Sequence, residues 1–445
     1  APSGPVAAGA GARAMRARRG ATAAASAAPA SLAETLRGKS LSEYLCSLCS
    51  EQEFWGQQVA DLPQVADLPW NDTLASSDRI YTGQWAEILY VHSPGGLEVE
   101  LVAKKGIRQS GNGSIRLLRE ACIIHALAQD QNSAPPVLQV IDVRYSDGFV
   151  SFLMEAMPYS MFDMAEAMPW TATRTPRLLA NQAAAFYHIA AGLRRLHAHG
   201  IVHCDMKLEN VLVASPNGRL WEAVFIDFEL AQPNGARTFA GGTPSYMSPS
   251  ALRTLECTPD TDIWSLGVML HEVVHGRPPY LAHNTGFAKQ LPVVEAFLSG
   301  LKRDPEGLLP TFTSPLVQAA CRHADHCDFI VALPRRILGM LHAVFDARDQ
   351  AQRAFVFPKV VEEAKEIASG AVAMAAAVMG VDPLDWEPRR TGRVPHEFAD
   401  EVRSGSSLWP SIEGRGAKDQ LARRVQRTAH GPASREDCFE LGIPA

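Results

Sequence analysis

Ile201-Val202-His203-Cys204-Asp205-Met206-Lys207-Leu208-Glu209-Asn210-Val211-Leu212-Val213 is the stretch on which the reading of this chain turns. Before it, Phe186, Ile189, Leu193 and Leu196 line one face of a helix that stops at Gly200, where glycine takes the left-handed cap. After it, residues 210–214 and 223–227 read as short strands joined through Pro216-Asn217-Gly218. A loop between a helix and a strand therefore carries Asp205, Lys207 and Asn210. A carboxylate there can accept a hydroxyl proton, an ammonium can neutralise a moving phosphoryl group, and an amide oxygen can ligate Mg2+. Seventeen residues after Asn210, Asp227-Phe228-Glu229 offers a second carboxylate for a metal.

The pattern changes character on either side. Upstream, residues 85–91 and 97–105 read as strands around Ser93-Pro94-Gly95-Gly96. Residues 115–127 read as a helix with Leu118, Ala121, Cys122 and Leu127 near helical spacing, and 138–144 with 149–155 as a hairpin over Asp147-Gly148. Downstream, residues 262–275 form a helix ending at Gly276 ahead of Pro278-Pro279. The expected class is α+β: a small β-rich lobe carrying one helix, then a larger α-helical lobe.

These landmarks resemble the eukaryotic protein kinases. His203 to Asn210 looks like their catalytic loop and Asp227 to Glu229 like their metal-binding triplet. Val102-Ala103-Lys104-Lys105 resembles the strand whose lysine holds the α- and β-phosphates; Ala103 and Lys105 share a strand face, which favours Lys105, with Lys104 second. Glu120 is the implied ion-pair partner, Met154 the gatekeeper, and Glu155 to Met157 the hinge that meets adenine. Residues 242–249, GTPSYMSP, look like the substrate-docking end of an activation segment, and Asp262 like the aspartate that braces the catalytic loop. The resemblance implies a two-lobed protein-kinase fold, ATP and Mg2+, and protein substrates; Lys207 with Thr243 implies serine/threonine acceptors. Catalytic roles then fall to Asp205, Lys207 and Asn210, and metal binding to Asn210 and Asp227. Two alternatives stand beside an active kinase: a pseudokinase acting as a nucleotide-binding or scaffolding module, and a small-molecule kinase. GTPSYMSP argues against the second.

Four positions depart from the family pattern. In Tyr81-Thr82-Gly83-Gln84-Trp85-Ala86 only Gly83 of the usual phosphate-loop glycines is kept. Glu229 replaces the glycine of the metal triplet. Cys204 stands where most kinases carry an arginine that pairs with a phosphate on the activation loop, so loop phosphorylation at Thr238 is not expected to be the on-switch. Ser248-Pro249-Ser250 lacks the glutamate that commonly pairs with a late arginine, here Arg353 or Arg348, which predicts a weaker anchor and an arginine facing water.

Composition sets the frame. With 445 residues, 47% hydrophobic and 20% charged, the chain can bury a large core, and a net charge of -6 argues against a dedicated nucleic-acid binder. No apolar run has the length of a membrane span; residues 371–381 read as a packed helix. The eight cysteines are scattered, which favours reduced thiols over a disulfide framework. Ordinary packing accounts for Cys46-x-x-Cys49 and for Cys321, His323, His326 and Cys327 better than zinc does. The acid-free, arginine-bearing stretch from Ala1 to Ala33 reads as a disordered tail or a transit segment, so cytoplasm is the default location and an organelle the alternative. The expected layout is a low-complexity segment over 1–35, a helical extension and linker over 36–75, an N-lobe over 76–157, a C-lobe over 158–381 and an extension over 382–445. Oligomeric state is left open.

Overall fold

The computed structural model describes residues 77–380, apart from 83–85, 92–100, 108–112, 130–135, 139, 141, 147–148, 158, 215–219, 236–240, 281–286 and 348–349. Strands β1 (Ser77–Thr82), β2 (Ala86–Val91), β3 (Leu101–Gly106), β4 (Asp142–Ser146) and β5 (Phe149–Glu155) form one antiparallel sheet in the order β1-β2-β3-β5-β4. Helix α1 (Gly113–Gln129) packs on β3 and β5, and its Leu117, Leu118, Ala121 and Cys122 are buried. All four residues of the expected stripe are buried, and Leu127, with Ile123 and Ile124, joins the apolar core of the helical region.

The rest is helical: α2 (Met161–Ala167), α3 (Pro176–Ala198), α4 (Pro249–Thr254), α5 (Pro259–His275), α6 (Phe287–Arg303), α7 (Ser314–Ala320), α8 (Ala324–Phe345) and α9 (Gln350–Met379). Two small hairpin-like ladders lie between α3 and α4: β6 (Ile201–Val202) with β9 (Gln232–Pro233), and β7 (Val211–Ala214) with β8 (Glu222–Phe225). The β-rich region followed by a helical one is the architecture the pattern predicts.

Helix α5 is the axis of the helical region. Every residue from Asp260 to Val274 is buried, with proline at its first turn and Gly276 at φ +70° closing it. Gly200, at φ +72°, ends α3 in the same way. Helix α9 lies along α3 and α8, and Ala371, Val372, Met374 and Ala375 are buried there. The 371–381 stretch is thus a packed helix through Met379, and no helix among the described residues is long and apolar enough to cross a membrane.

The cysteines depart from expectation. Cys204 is disulfide-bonded to Cys257, and Cys321 to Cys327. The fold brings the first pair to a Cα–Cα distance of 5.7 Å across 53 residues of sequence, a proximity that spacing alone does not reveal. Cys321 and Cys327 flank the short turn between α7 and α8. Cys46 and Cys49 lie outside the described residues, as do the expected segments over 1–35, 36–75 and 382–445 apart from no more than a boundary residue.

Candidate active site

The loop after β6 is fixed by one buried carboxylate. Asp262, fully buried in the first turn of α5, accepts the backbone N–H of His203 at 2.9 Å and of Cys204 at 3.0 Å, and stands 2.9 Å from His197 Nε2. These bonds hold Cys204 in the left-handed region at φ +69°, uncommon for a residue with a side chain. His203 is itself buried, with Nε2 at 3.1 Å from the carbonyl of Ile226 and its ring 4.8 Å from that of Phe228. The loop and the Asp227 segment are therefore locked to each other.

Asp205 projects from this frame. Its Oδ1 accepts the backbone N–H of Thr243 at 2.8 Å and the Thr243 hydroxyl at 2.7 Å, and its Oδ2 lies 3.0 Å from Lys207 Nζ. Lys207 also donates to Thr243 Oγ1 at 3.1 Å. Burial opposes the charge on Lys207, but Asp205, Glu209 and Asp227 hold its pKa above the ordinary lysine value. Asn210 spends its amide donors on the Asp205 carbonyl at 2.8 Å and Oδ2 at 3.3 Å. The amide oxygen is then what Asn210 can offer a ligand. The three residues read from the sequence as catalytic are brought together, and Thr243 from the GTPSYMSP run joins them.

Across the site, Lys104 and not Lys105 meets the carboxylates. Lys104 Nζ is 2.8 Å from Glu120 Oε2 and 2.7 Å from Asp227 Oδ1, and the residue is only 9% exposed. Lys105 points to the opposite sheet face, where its Nζ lies 3.7 Å from Glu87 Oε1 on the neighbouring strand. Side chains alternate along a strand, so this one-residue difference moves the whole face. Ala103 goes with Lys105: paired with Leu89 and Leu153, it is buried away from Lys104. Val102 takes the place expected of it, clustered with Ile80, Ile88, Tyr90, Met154 and Ala156. The expectation that Lys105 and Ala103 face the nucleotide is corrected to Lys104 and Val102.

Met154 also belongs to a second apolar cluster, with Leu138, Met157, Leu212, Val224 and Ile226. The two clusters meet at the end of β5, where Glu155 pairs with Leu101. Met154 and Met157 are thus on the apolar surfaces flanking the link between the sheet and the helical region. Leu212 and Ile226 contribute as well: Ile226 adjoins Asp227, and Leu212 lies two residues after Asn210. Gly83 lies outside the described residues.

Charge here is unbalanced. Burial works against the Lys104 ammonium, but Asp227, Glu120 and Glu229 together hold its pKa above the usual value, so it stays protonated. Burial pushes the Glu120 carboxyl up, against the pull of Lys104, and Asp227 and Glu229 add to the push. Asp227 is opposed by burial but held down to about 2, first by Lys104, so it is ionised at neutral pH. It adopts φ +64°, and Glu120 Oε1 accepts the N–H of the next residue, Phe228, at 3.2 Å. Glu229 therefore adds negative charge beside the one lysine. Among the described residues no group of three or more His, Cys, Asp or Glu forms a metal cage. Asn210 and Asp227 nevertheless supply hard oxygen donors of the kind Mg2+ takes when phosphates and waters complete its shell.

The expected weak anchor is corrected as well. Ser250 cannot carry the missing charge, but Asp260 does. Its Oδ2 accepts the Ser250 hydroxyl at 2.8 Å, while its Oδ1 pairs with Arg353 Nε. Arg353 is 5% exposed, also donates to the Ala347 carbonyl at 3.1 Å, and lies 5.4 Å from the centre of the Trp264 ring. The arginine is buried and paired rather than facing water. An acidic residue in the first turn of α5, ten positions from Ser250, was the available signal. Arg348 and Thr238 lie outside the described residues.

A family model described as the protein kinase domain matches residues 95–306. The chain carries a domain of the eukaryotic protein kinase family. Curated relatives agree over shorter stretches. The chain is 39% identical over 106 residues to the serine/threonine-protein kinase SMU1 of Mycosarcoma maydis, covering 23% of this chain and 14% of that protein. It is 35% identical over 123 residues to the serine/threonine-protein kinase STE20 of Candida glabrata, covering 27% and 13%. With the serine/threonine-protein kinase PLK4 of Xenopus laevis it shares 27% over 183 residues, covering 41% and 18%. The chain thus spans less than a fifth of the length of each of these three relatives.

Proposed function

We propose that this kinase domain is catalytically active, transferring the γ-phosphate of ATP to serine or threonine hydroxyls of proteins with Mg2+ bound. The observation that carries the reading is the coexistence of two intact charge clusters. One is Lys104 with Glu120 and Asp227; the other is Asp205 with Lys207, Asn210 and Thr243. Phosphoryl transfer is mainly positioning and electrostatics, and these clusters supply both. Lys104 holds phosphate oxygens while Glu120 fixes its stem. Asp205 orients the acceptor hydroxyl and takes its proton, with Thr243 restraining the carboxylate. Lys207 stabilises the negative charge carried by the transferred group. Asn210 and Asp227 would hold Mg2+, which supplies charge neutralisation between the phosphates. The serine/threonine preference rests on Lys207 with Thr243 and on the names of the relatives, which are serine/threonine-protein kinases.

Glu229 supports a second reading, a pseudokinase that serves as a scaffold. Its carboxylate is near enough to add to the field on Lys104, and it would repel phosphates that arrive without a cation. Incorporation of labelled γ-phosphate into a serine/threonine peptide pool, measured with Mg2+, separates the two. Active kinase predicts incorporation that falls by about 10²- to 10⁴-fold in Asp205→Asn while nucleotide binding is kept. Saturable ATP binding without incorporation into any peptide would favour the pseudokinase.

A further inference from the structure

The residue immediately before Asp205 is covalently tied to the residue immediately before the N-cap of α5. Cys204 and Cys257 are 3% and 1% exposed and pack with Val202 and Leu230. The segment ahead of α5 also holds β9, since Gln232 Nε2 donates to the Cys257 carbonyl at 3.3 Å. Five residues on, Asp262 grips the backbone of His203 and Cys204, and Asp260 grips Ser250. The bond closes a 53-residue span containing Asp205, Lys207, Asn210, Asp227 and Thr243. No arginine stands at position 204 to brace the loop through a phosphate, so the sulfur link occupies that bracing position.

We propose that Cys204–Cys257 is a redox clasp: the disulfide holds the catalytic loop in order, and reduction by a dithiol loosens it and lowers phosphotransfer. The activity part rests on the proposed function; the ordering part does not. In the step, one thiolate of the dithiol attacks a clasp sulfur and forms a mixed disulfide. The other clasp sulfur leaves as a thiolate and takes up a proton. The dithiol's second thiol then displaces the remaining cysteine. Two electrons and two protons pass to Cys204 and Cys257, and the dithiol leaves as a disulfide. A small-molecule disulfide reverses the exchange. Because both sulfurs are buried, exchange waits on local opening of the loop.

The Cys204 bond with Asp262 explains why order would be lost. A non-glycine residue at φ +69° relaxes once its restraints weaken, and Asp205 is the next residue along the chain. With the clasp open, the hydrogen bonds of Asp262 to His203 and Cys204 are left to hold that conformation without the covalent link.

The test uses the full chain purified without reductant, alkylated, digested and weighed, then treated with dithiothreitol. Expected are a linked peptide pair at 204 and 257, and amide exchange over 202–205 faster by about tenfold or more after reduction. The melting temperature should fall by roughly 5–10 °C, and phosphotransfer by about tenfold. Cys257→Ala should show the reduced-state exchange rates with or without dithiothreitol. Since it keeps Cys321–Cys327 and the disulfide of Cys122, that result assigns the effect to this bond. Free thiols at both positions before reduction would overturn the proposal, and so would a linked pair whose opening changes neither exchange nor melting in the wild type. Absent phosphotransfer with responsive exchange would retain the ordering clasp and overturn only the enzymatic reading.

Discussion

The loop that carries Asp205 and the strand that carries Lys104 face each other across one site but are held by different means. The loop is fixed mostly from outside itself: by Asp262, by a disulfide to Cys257, and by Thr243 on the segment ahead of α4. Two of these supports, Asp262 and Cys257, lie at the start of α5, whose apolar residues are part of the main core. The strand is held by its ladder partners, by α1 packed on it, and by a triangle of charges with Glu120 and Asp227. One region is positioned by buried, redundant polar contacts, the other by register. Register is a more fragile device, because a slip of one residue exchanges Lys104 for Lys105.

The largest effect should come from breaking the buried anchor beneath the loop side. Asp260→Ala leaves the Arg353 charge buried without its carboxylate and should cost about 3–5 kcal/mol in urea unfolding. Asp260→Ala with Arg353→Met should recover a good part of that loss; no recovery would mean the pair is not the source. Comparable damage from the long, partly exposed sheet-side pair Lys105–Glu87, 3.7 Å apart, would erase the contrast between the two regions, since ion pairs in contact with solvent contribute only about 0–1 kcal/mol.

Glu272 sharpens the same contrast through pH. Burial, then the charge of Glu209, raises its pKa to about 8, although the Tyr246 hydroxyl donates to it at 2.5 Å. The native state therefore keeps a proton that the unfolded chain, with an ordinary carboxyl, gives up. Stability should fall as pH rises from about 4.5 to about 8, by at most about 1.4 kcal/mol per pH unit, and level off above. Glu272→Gln should flatten that slope; an unchanged slope in the variant would exclude Glu272 as its origin.

Thr243→Val removes a hydroxyl shared by Asp205 and Lys207 while leaving its backbone N–H in place. The expected loss is the smallest of the three, about tenfold in kcat with the ATP KM unchanged, close to the value of one hydrogen bond to a charged group. A change in KM alone would place Thr243 in binding rather than in orienting the carboxylate.

The sequence was most legible where short-range chemistry decides the outcome. Gly200 and Gly276 end their helices, the alternating strands form the sheet, and Asp205, Lys207 and Asn210 cluster as their spacing within one loop requires. It was least legible where a contact depends on long-range placement. The choice between two adjacent lysines turns on strand register, which Glu87 opposite Lys105 reflects but does not announce. Asp260 in place of a glutamate near Ser250, and Cys257 beside Cys204, are tertiary solutions to local deficits. Each deficit was visible in the chain, and its remedy lay tens of residues away or on another element.

The most direct test of the account compares Lys104→Met with Lys105→Met for γ-phosphate transfer under Mg2+, with folding checked by melting temperature. Lys104→Met should lose on the order of 10²-fold or more through misplaced phosphates, and Lys105→Met should stay within about threefold of wild type because its ammonium lies on the opposite sheet face beside Glu87. The reverse pattern would contradict the site as built here, returning the nucleotide-facing role to Lys105 and the register of β3 to the one its neighbours in the sequence suggest.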